Sequence, residues 1–308
     1  MTKLTFRLVG ALLMGAVLCS TARAAEGADL SDARKAGQDS SPQVEIIPDV
    51  VYGHKAGMAL TFDVIKPKGK AKGSAVLFMV SGGWLSKWSP PDKAFEESVR
   101  DGSVYSRLVD SGHTLFLVRH GSAPQFKVPE AVADVRRAVR FIRLHAGEYG
   151  IDANRMGVFG GSAGGHLSLM LGTASDEGKA DAKDPVERIS DRVAAVVAYF
   201  PPTDLRDIVG PSRRFPALEF DPALAESVSP FLHVTRDDAP TLLVHGDKDT
   251  LVKLKQSEQV HEAFQTAGVT SELIVLKNAE HGFKGDDNVR ATKALVAWFD
   301  KYLAKKNP

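Results

Sequence analysis

The sequence predicts an α/β protein in which helices cover both faces of a mostly parallel central sheet. Short, nearly continuous apolar runs recur along the chain, as expected of strands buried on both faces of a parallel sheet. Segments with helical apolar spacing lie between these runs, and this alternation is typical of doubly wound α/β domains. With 308 residues, of which 44% are hydrophobic and 25% charged, the chain is long and apolar enough to form one large core.

An antiparallel hairpin is predicted at the start of the sheet. Residues 44–52 and 58–66 are strand-like runs, and the turn between them contains Gly57. The buried strands that follow are predicted at residues 75–80, 115–118, 156–159, 193–200, 241–244 and 273–276. The carboxyl ends of such strands form the edge of the sheet at which ligands bind.

Helical spacing is clearest in two segments. After Pro129, which suits the first turn of a helix, apolar residues recur at intervals of three and four through Ala146. The outer faces of this helix are predicted to carry Arg136, Arg137, Arg140 and Arg143. The last helix repeats the pattern over residues 291–302. Two stretches interrupt the alternation: residues 175–191 are predicted to be a charged surface insertion, and residues 205–238 a small, proline-containing lid.

Residues 1–24 have the features of a Sec-type signal peptide. Two basic residues precede an apolar run over residues 8–19, and Ala22-Arg23-Ala24 matches an A-x-A cleavage site. We expect cleavage after Ala24, which gives a secreted or periplasmic protein with no stable membrane anchor. A retained membrane anchor and lipidation at Cys19 are the alternatives. The run is short for a membrane span, and bulky Leu18 does not suit a lipoprotein signal.

The mature chain is predicted to consist of a flexible leader (residues 25–42) and one domain (residues 43–308). The formal net charge of the full 308-residue chain is +1, which provides no basic surface for a phosphate backbone, so we expect no nucleic-acid partner. Cys19, the single cysteine, is removed with the signal peptide, so disulfides and thiolate chemistry are not expected. The histidines show no ligand spacing with carboxylates, which argues against a metal site.

A glycine-rich turn follows the apolar run at residues 156–159. Gly160-Gly161-Ser162-Ala163-Gly164 fits the G-x-S-x-G nucleophile elbow, in which a strained turn between strand and helix exposes the serine hydroxyl. A glycine-rich packing turn is the alternative. A serine becomes a good nucleophile only when a base takes its proton, so the elbow requires a histidine and an orienting carboxylate.

Suitable partners follow later strands. His245-Gly-Asp-Lys-Asp249 comes after the run at residues 241–244, and His281 follows the run at residues 273–276. Asp247 and Asp249 are both candidates for the acid, because each follows the same strand. Upstream, Val80-Ser-Gly-Gly-Trp84 ends the first long buried strand, where backbone N–H groups can stabilise an oxyanion.

These motifs together resemble the α/β-hydrolase esterase/lipase group that includes hormone-sensitive-lipase-like and feruloyl-esterase-like enzymes and is related to the prolyl oligopeptidase catalytic domain. The resemblance covers residues 44–305 and includes the chain order Ser, Asp, His. It implies that Ser162 is the nucleophile, His281 the base and Asp249 the acid. The oxyanion donors it implies are the backbone N–H groups of Gly82, Gly83 and Ala163. Asp247 is expected to bond turn amides instead.

The oxyanion loop departs from the family pattern. The family usually has His-Gly-Gly-Gly-Trp, whereas this chain has Val80-Ser81 in place of His-Gly. Backbone donors survive this change, but a side chain that could brace the loop is lost. Trp84 and Trp88 are predicted either to line an acyl or sugar pocket or to anchor the loop. His166, in the first turn after the elbow, is expected to be a packed helix residue.

The sequence therefore predicts a serine hydrolase that cleaves carboxylic esters through an acyl-enzyme, with a small-molecule or polysaccharide ester as substrate and without a cofactor. The first alternative is a peptidase of the prolyl oligopeptidase type. The second is a catalytically inactive hydrolase fold used for binding, although all three triad residues are present. The oligomeric state and the acyl and alcohol groups accepted do not follow from the sequence.

Overall fold

A computed structural model describes residues 44–305. The predicted signal peptide, and the predicted leader up to residue 42, lie outside the described residues. The strands are β1 (Val44–Lys55), β2 (Met58–Pro67), β3 (Ala75–Met79), β4 (Thr114–Val118), β5 (Met156–Gly161), β6 (Ala195–Tyr199), β7 (Thr241–Gly246) and β8 (Ser271–Leu276). The α-helices are α1 (Pro91–Asp101), α2 (Val104–Asp110), α3 (Val128–Leu144), α4 (Ala146–Tyr149), α5 (Ala163–Thr173), α6 (Lys255–Ala267) and α7 (Gly285–Tyr302).

The strands form one sheet in the order β1-β2-β4-β3-β5-β6-β7-β8. β1 and β2 make the predicted antiparallel hairpin, and Ala56 and Gly57 both have positive φ in its two-residue turn. β2 also pairs antiparallel with β4, whereas all the remaining pairs are parallel. This topology confirms the predicted α/β-hydrolase fold.

Helices cover both faces of the sheet. Apolar side chains of α3, α5 and α6 pack on one face, and those of α1, α2 and α7 pack on the other. The central strands are apolar throughout because both of their faces are covered; every residue of β4, for example, is buried. The carboxyl ends of β3 to β8 therefore meet at one edge of the sheet, where the loops carrying the predicted motifs lie.

Contrary to the prediction, the arginines of α3 do not face solvent. Arg136 and Arg140 pair with Asp176 and Asp191, and Arg140 also pairs with Glu187. These acidic residues belong to the insertion at 175–191, which the arginines hold against α3. The helical spacing identified the polar side of the helix correctly, but a second segment covers that side.

Residues 205–238 are irregular and contain 3-10 turns at Pro216–Leu218, Pro222–Leu224, Glu226–Val228 and Pro230–His233. The start of the segment is anchored, since the Leu205 N–H donates to the Ser229 hydroxyl and both residues are fully buried. Its Phe215 ring packs on Gly83, where an added Cβ would lie 3.0 Å from the ring. The segment therefore covers the predicted oxyanion loop, and its function as a lid stays a prediction.

None of the helices between residues 44 and 305 is both long enough and apolar enough to cross a membrane.

Candidate active site

Ser162 occupies a strained turn between β5 and α5. Its backbone has φ 55° and ψ −119°, a conformation that side-chain-bearing residues rarely adopt. Two glycines permit the turn, because a Cβ on Gly160 would lie 2.4 Å from the backbone carbon of Gly164, and one on Gly164 would lie 2.5 Å from the Met79 carbonyl oxygen. Strand, turn and helix thus have the geometry of a nucleophile elbow.

The structure brings Ser162, His281 and Asp249 together from the ends of three different strands. His281 Nε2 lies 3.0 Å from Ser162 Oγ, and His281 Nδ1 lies 2.7 Å from Asp249 Oδ2. An ionised carboxylate only accepts hydrogen bonds, so Nδ1 carries the proton and Nε2 presents its lone pair to the serine. The arrangement allows the imidazole to take the hydroxyl proton.

Asp249 is held as an orienting carboxylate. Its side chain is fully buried, and Oδ1 accepts the backbone N–H groups of Leu251 and Val252 at 2.9 Å each. Asp247 is exposed instead, and its Oδ1 accepts the backbone N–H of Asn278 at 2.6 Å. Asp249 thus contacts the histidine, whereas Asp247 ties the loops after β7 and β8 together, and Asp249 stays the predicted acid.

The oxyanion loop is a two-residue hairpin. Gly82 and Leu85 exchange both backbone hydrogen bonds, at 3.0 and 3.1 Å, and the turn residues Gly83 and Trp84 have φ of 58° and 57°. Because the Gly82 N–H already donates to the Leu85 carbonyl, Gly82 is not free to bind an oxyanion, contrary to the prediction. The Gly83 and Ala163 N–H groups have no hydrogen-bond partner among residues 44–305 and stay candidate donors.

A comparison with known proteins places this geometry in a family. The family model described as BD-FAE matches residues 62–264. The chain belongs to the BD-FAE family. The resemblance predicted from the motifs is thereby confirmed, and the related proteins named below are esterases.

Esterase LipC of Mycobacterium tuberculosis is 29% identical to this BD-FAE chain over 265 residues, which cover 81% of this chain and 63% of LipC. This chain thus spans less than two thirds of that relative. A truncated carbohydrate esterase from gut microbiota superposes with a TM-score of 0.70 at 22% identity, over 86% of this chain and 99% of its own. A thermophilic esterase of Thermogutta terrifontis superposes with a TM-score of 0.66 at 28% identity, over 87% and 96% of the two chains.

The two tryptophans of the BD-FAE oxyanion region differ in environment. Trp84 is only 4% exposed and donates its indole N–H to His166 Nδ1 at 3.2 Å, so it anchors the loop and does not line a pocket. Trp88 is 55% exposed and lines a cavity of about 400 Å³ together with Arg119 and His120. None of the residues that line this cavity belongs to the predicted triad, so substrate contact by Trp88 stays a prediction.

His166 is a packed helix residue, as expected, but it also joins three elements. Its ring is fully buried on α5, accepts from Trp84 at Nδ1 and donates from Nε2 to the Val228 carbonyl at 2.7 Å. Burial lowers the pKa of His166 to about 4, so the ring stays neutral and keeps Nδ1 as an acceptor. The oxyanion loop, the nucleophile helix and the segment 205–238 are thus tied to one side chain.

Sequence reasoning assigned no site function to several residues that contact the triad. Phe200, which follows β6, packs on the His281 ring with a centroid distance of 4.6 Å. His245 is fully buried, and its Nε2 lies 3.3 Å from Asp249 Oδ2 while it donates to the Val252 carbonyl. Burial lowers the pKa of His245, which favours its neutral form beside the acid. Phe200 follows β6, and His245 lies near the end of β7. Because both strands end at the edge of the sheet that carries the triad, these positions in the sequence could have indicated the contacts.

No group of three or more metal-binding side chains is arranged to hold an ion within residues 44–305.

Proposed function

We propose that this chain hydrolyses carboxylic esters through an acyl-enzyme on Ser162, with His281 as the base and Asp249 as the orienting acid. The observation that carries the proposal is the continuous contact from Ser162 Oγ through both ring nitrogens of His281 to Asp249, at 3.0 and 2.7 Å. The esterase names of its relatives support the same reaction class.

In the acylation step, Ser162 Oγ attacks the ester carbonyl carbon while its proton moves to His281 Nε2. The carbonyl oxygen becomes an oxyanion and accepts the N–H groups of Ala163 and Gly83. When the carbonyl re-forms, the bond to the alcohol oxygen breaks, and His281 protonates that oxygen. The products of this step are the free alcohol and an ester on Ser162.

In the deacylation step, His281 takes a proton from water, and the resulting hydroxide attacks the acyl-enzyme carbonyl. The second tetrahedral intermediate expels Ser162 Oγ, which receives the proton back from His281. The products are the carboxylic acid and the free enzyme. Each step uses only protein groups, substrate and water.

A matched pair of serine variants tests the proposal. Ser162→Ala removes the proposed covalent acceptor, so we expect loss of the burst and of turnover on 4-nitrophenyl esters, with a residual rate ~10³-fold over that in water. Ser227→Ala is the control, because Ser227 is exposed and its hydroxyl donates to the Leu224 carbonyl on the surface of the domain. A fluorophosphonate should label the wild type at Ser162 alone.

An unchanged kcat in Ser162→Ala, or a fluorophosphonate adduct on another serine, would contradict this mechanism. Amide substrates separate the remaining alternatives. Faster turnover of peptidyl anilides than of the matching esters would favour the peptidase, and the absence of both activities with an unlabelled Ser162 would favour a binding protein.

Small and medium acyl groups are proposed as the preferred substrates. The lid candidate at residues 205–238 exposes three large hydrophobic side chains, those of Ile208, Leu224 and Leu232. An interfacial lipase needs a larger exposed apolar surface than these side chains provide. Greater kcat/KM on emulsified long-chain triglyceride than on acetyl or butyryl esters would reverse this proposal.

We also propose that the protein is exported and cleaved after Ala24, on the basis of the A-x-A site that ends residues 1–24. Intact-mass analysis of the protein exported from a bacterial host tests this. A mature chain that begins at Ala25 supports export, whereas retention of residues 1–24 or a lipid mass on Cys19 contradicts it.

A further inference from the structure

The oxyanion loop receives a bracing contact from a neighbouring strand. Ser81 precedes the two-residue hairpin at Gly83 and Trp84, and its Oγ lies 2.8 Å from Nε2 of His120. His120 follows β4, which pairs directly with β3, so both residues lie at the carboxyl edge of the sheet. The two positions are 39 residues apart in sequence.

The other ring nitrogen of His120 determines the direction of this hydrogen bond. His120 Nδ1 lies 2.8 Å from the Gly121 carbonyl oxygen, which can only accept, so Nδ1 carries a proton. His120 is 5% exposed, and burial lowers its pKa, which favours the neutral ring. In the neutral ring Nε2 is an acceptor, and Ser81 therefore donates its hydroxyl proton to it.

The backbone beside His120 is also held by contacts that do not include Ser81. The Gly121 N–H donates to Asp134 Oδ2 at 2.9 Å, and Lys55 Nζ lies 2.8 Å from Oδ1 of the same carboxylate. The carbonyl that orients the His120 ring thus belongs to a residue held by a charged pair on α3 and β1. Because these contacts hold Gly121 in place, they also fix the position of the His120 ring that bonds Ser81.

The backbone of Ser81 lies close to the turn that carries the nucleophile, so a movement of Ser81 would displace groups near Ser162. An added Cβ on Gly164, two residues after Ser162, would lie 3.4 Å from the Ser81 carbonyl oxygen. The next free N–H along the loop belongs to Gly83, one of the two candidate oxyanion donors. The loop also lacks a histidine of its own, since Val80 occupies the position where the resembling family has one.

We propose that His120 is a positioning residue of the oxyanion loop: through its hydrogen bond with the Ser81 hydroxyl, it keeps the Gly83 N–H aimed at the tetrahedral intermediate. This inference rests on the proposed function. His120 itself does not touch the substrate. It affects the rate by fixing the direction of the Gly83 N–H. The contact makes up for the missing histidine within the loop.

Three variants separate the two hydrogen bonds of the ring. His120→Asn keeps a donor close to the position of Nδ1 but removes the acceptor for Ser81. His120→Gln places an amide oxygen close to the position of Nε2 and can accept the Ser81 hydroxyl. Ser81→Ala removes the same bond from the other side and changes nothing in the strand that carries His120.

The readouts are kcat and KM on 4-nitrophenyl acetate and the Ki of phenylboronic acid, whose adduct with Ser162 is tetrahedral. Deleting an oxyanion donor costs ~10²–10³ in kcat, so a misdirected donor should cost about tenfold. We expect His120→Asn and Ser81→Ala each to lower kcat about tenfold and raise the boronate Ki about tenfold, with KM within about twofold. His120→Gln should stay within about threefold of the wild type.

The double variant Ser81→Ala/His120→Asn should be no slower than either single variant, because both remove one shared interaction. His113→Asn is the matched control. His113 forms a similar buried pair with Ser74 Oγ at 2.7 Å, at the opposite end of β4. Its loss should lower the unfolding midpoint and leave kcat and the boronate Ki unchanged.

Unchanged kcat and boronate Ki in both Ser81→Ala and His120→Asn would overturn the proposal, as would additive losses in the double variant without rescue by His120→Gln. If His120→Asn does not fold, Ser81→Ala decides alone. Ser162→Ala, assayed in parallel, separates the two levels of inference. Full activity in that variant refutes the proposed function, whereas an inactive Ser162→Ala with a normal Ser81→Ala refutes only the positioning by His120.

Discussion

Replacing Asp249 by asparagine is expected to lower kcat by about 10⁴ with little change in the fold. Oδ1 of Asp249 accepts two backbone N–H groups at 2.9 Å, so the asparagine oxygen is expected to keep that position. The new amide NH₂ then takes the place of Oδ2, which lies 2.7 Å from His281 Nδ1. Two donors cannot share that contact, and the ring proton moves from Nδ1 to Nε2.

The magnitude follows from the tautomer. With its proton on Nε2, His281 presents a donor to Ser162 Oγ at 3.0 Å and cannot accept the hydroxyl proton. The corresponding Asp→Asn change in a serine protease triad lowers kcat by about 10⁴, which corresponds to about 5.4 kcal/mol in the activation barrier. The two retained amide bonds are the reason why we expect the free energy of unfolding to change little.

Asp247→Asn is the control two residues away. Asp247 Oδ1 accepts the backbone N–H of Asn278 at 2.6 Å, whereas the carboxylate bonded to His281 is that of Asp249. We expect kcat within a factor of about ten and a loss of roughly 1 kcal/mol in unfolding free energy, the scale of one hydrogen bond. Measuring kcat on 4-nitrophenyl butyrate and the urea midpoint for both variants tests the assignment. An inactive Asp247→Asn beside a normal Asp249→Asn would refute it.

The structure supports further predictions about stability. Gly164→Ala should destabilise the fold by about 1–3 kcal/mol, because the new Cβ would lie 2.5 Å from a backbone carbonyl oxygen, whereas Gly147→Ala, with nothing within 4 Å, should be neutral or slightly stabilising in urea melts. Asp191→Ala should lower the unfolding free energy by about 3–5 kcal/mol, because Asp191 is a fully buried carboxylate between two arginines. Glu97→Ala, at an exposed ion pair, should lower it by no more than about 1 kcal/mol in the same urea melts. Burial lowers the pKa of His166 from its ordinary 6.5 to about 4, so between these pH values the unfolded chain binds a proton that the folded chain does not. His166 therefore leaves the unfolding free energy unchanged above pH 6.5 and lowers it by about 1.4 kcal/mol per pH unit from pH 6.5 toward pH 4. The unfolding free energy of His166→Gln should therefore depend less steeply on pH over this range by about that slope, and equal slopes in the two proteins would contradict the burial argument.

The sequence was sufficient to predict that Ser162, Asp249 and His281 lie together, because their positions depend on sheet topology. Ser162 and His281 are 119 residues apart, yet Ser162 directly follows β5 and His281 lies in the short loop after β8, and both strands belong to the parallel part of the sheet. Parallel strands place their carboxyl ends at one edge, so any short loop after a strand delivers its residues there. The choice of Asp249 over Asp247 also agrees with the contacts, although here the resemblance and not the spacing supplied the distinction.

The details of the oxyanion loop could not be predicted in the same way. Whether the Gly82 N–H is free depends on the turn that follows it, and that turn requires a positive φ at Trp84, a residue that rarely adopts one. The buried contact to His166 holds Trp84 in this conformation, and no local pattern in the sequence indicates such a partner 82 residues away. The arginines of α3 present the same difficulty, since helical spacing gives the polar side of a helix but not the segment that covers it.

The contacts of residues 205–238 limit where a lid could open. At one end, Leu205 and Ser229 are joined and fully buried, and Val228 accepts the hydrogen bond from His166. Movement there would break the bond that fixes the His166 ring and would release the acceptor that holds Trp84. Phe215, whose ring lies on Gly83, precedes a further anchor, because Ala217 and Leu218 are buried in the core and Lys127 Nζ donates to the Pro216 carbonyl. A lid movement that exposes the Gly83 N–H and leaves its hairpin fixed therefore has to be confined to Phe215 and the residues before it.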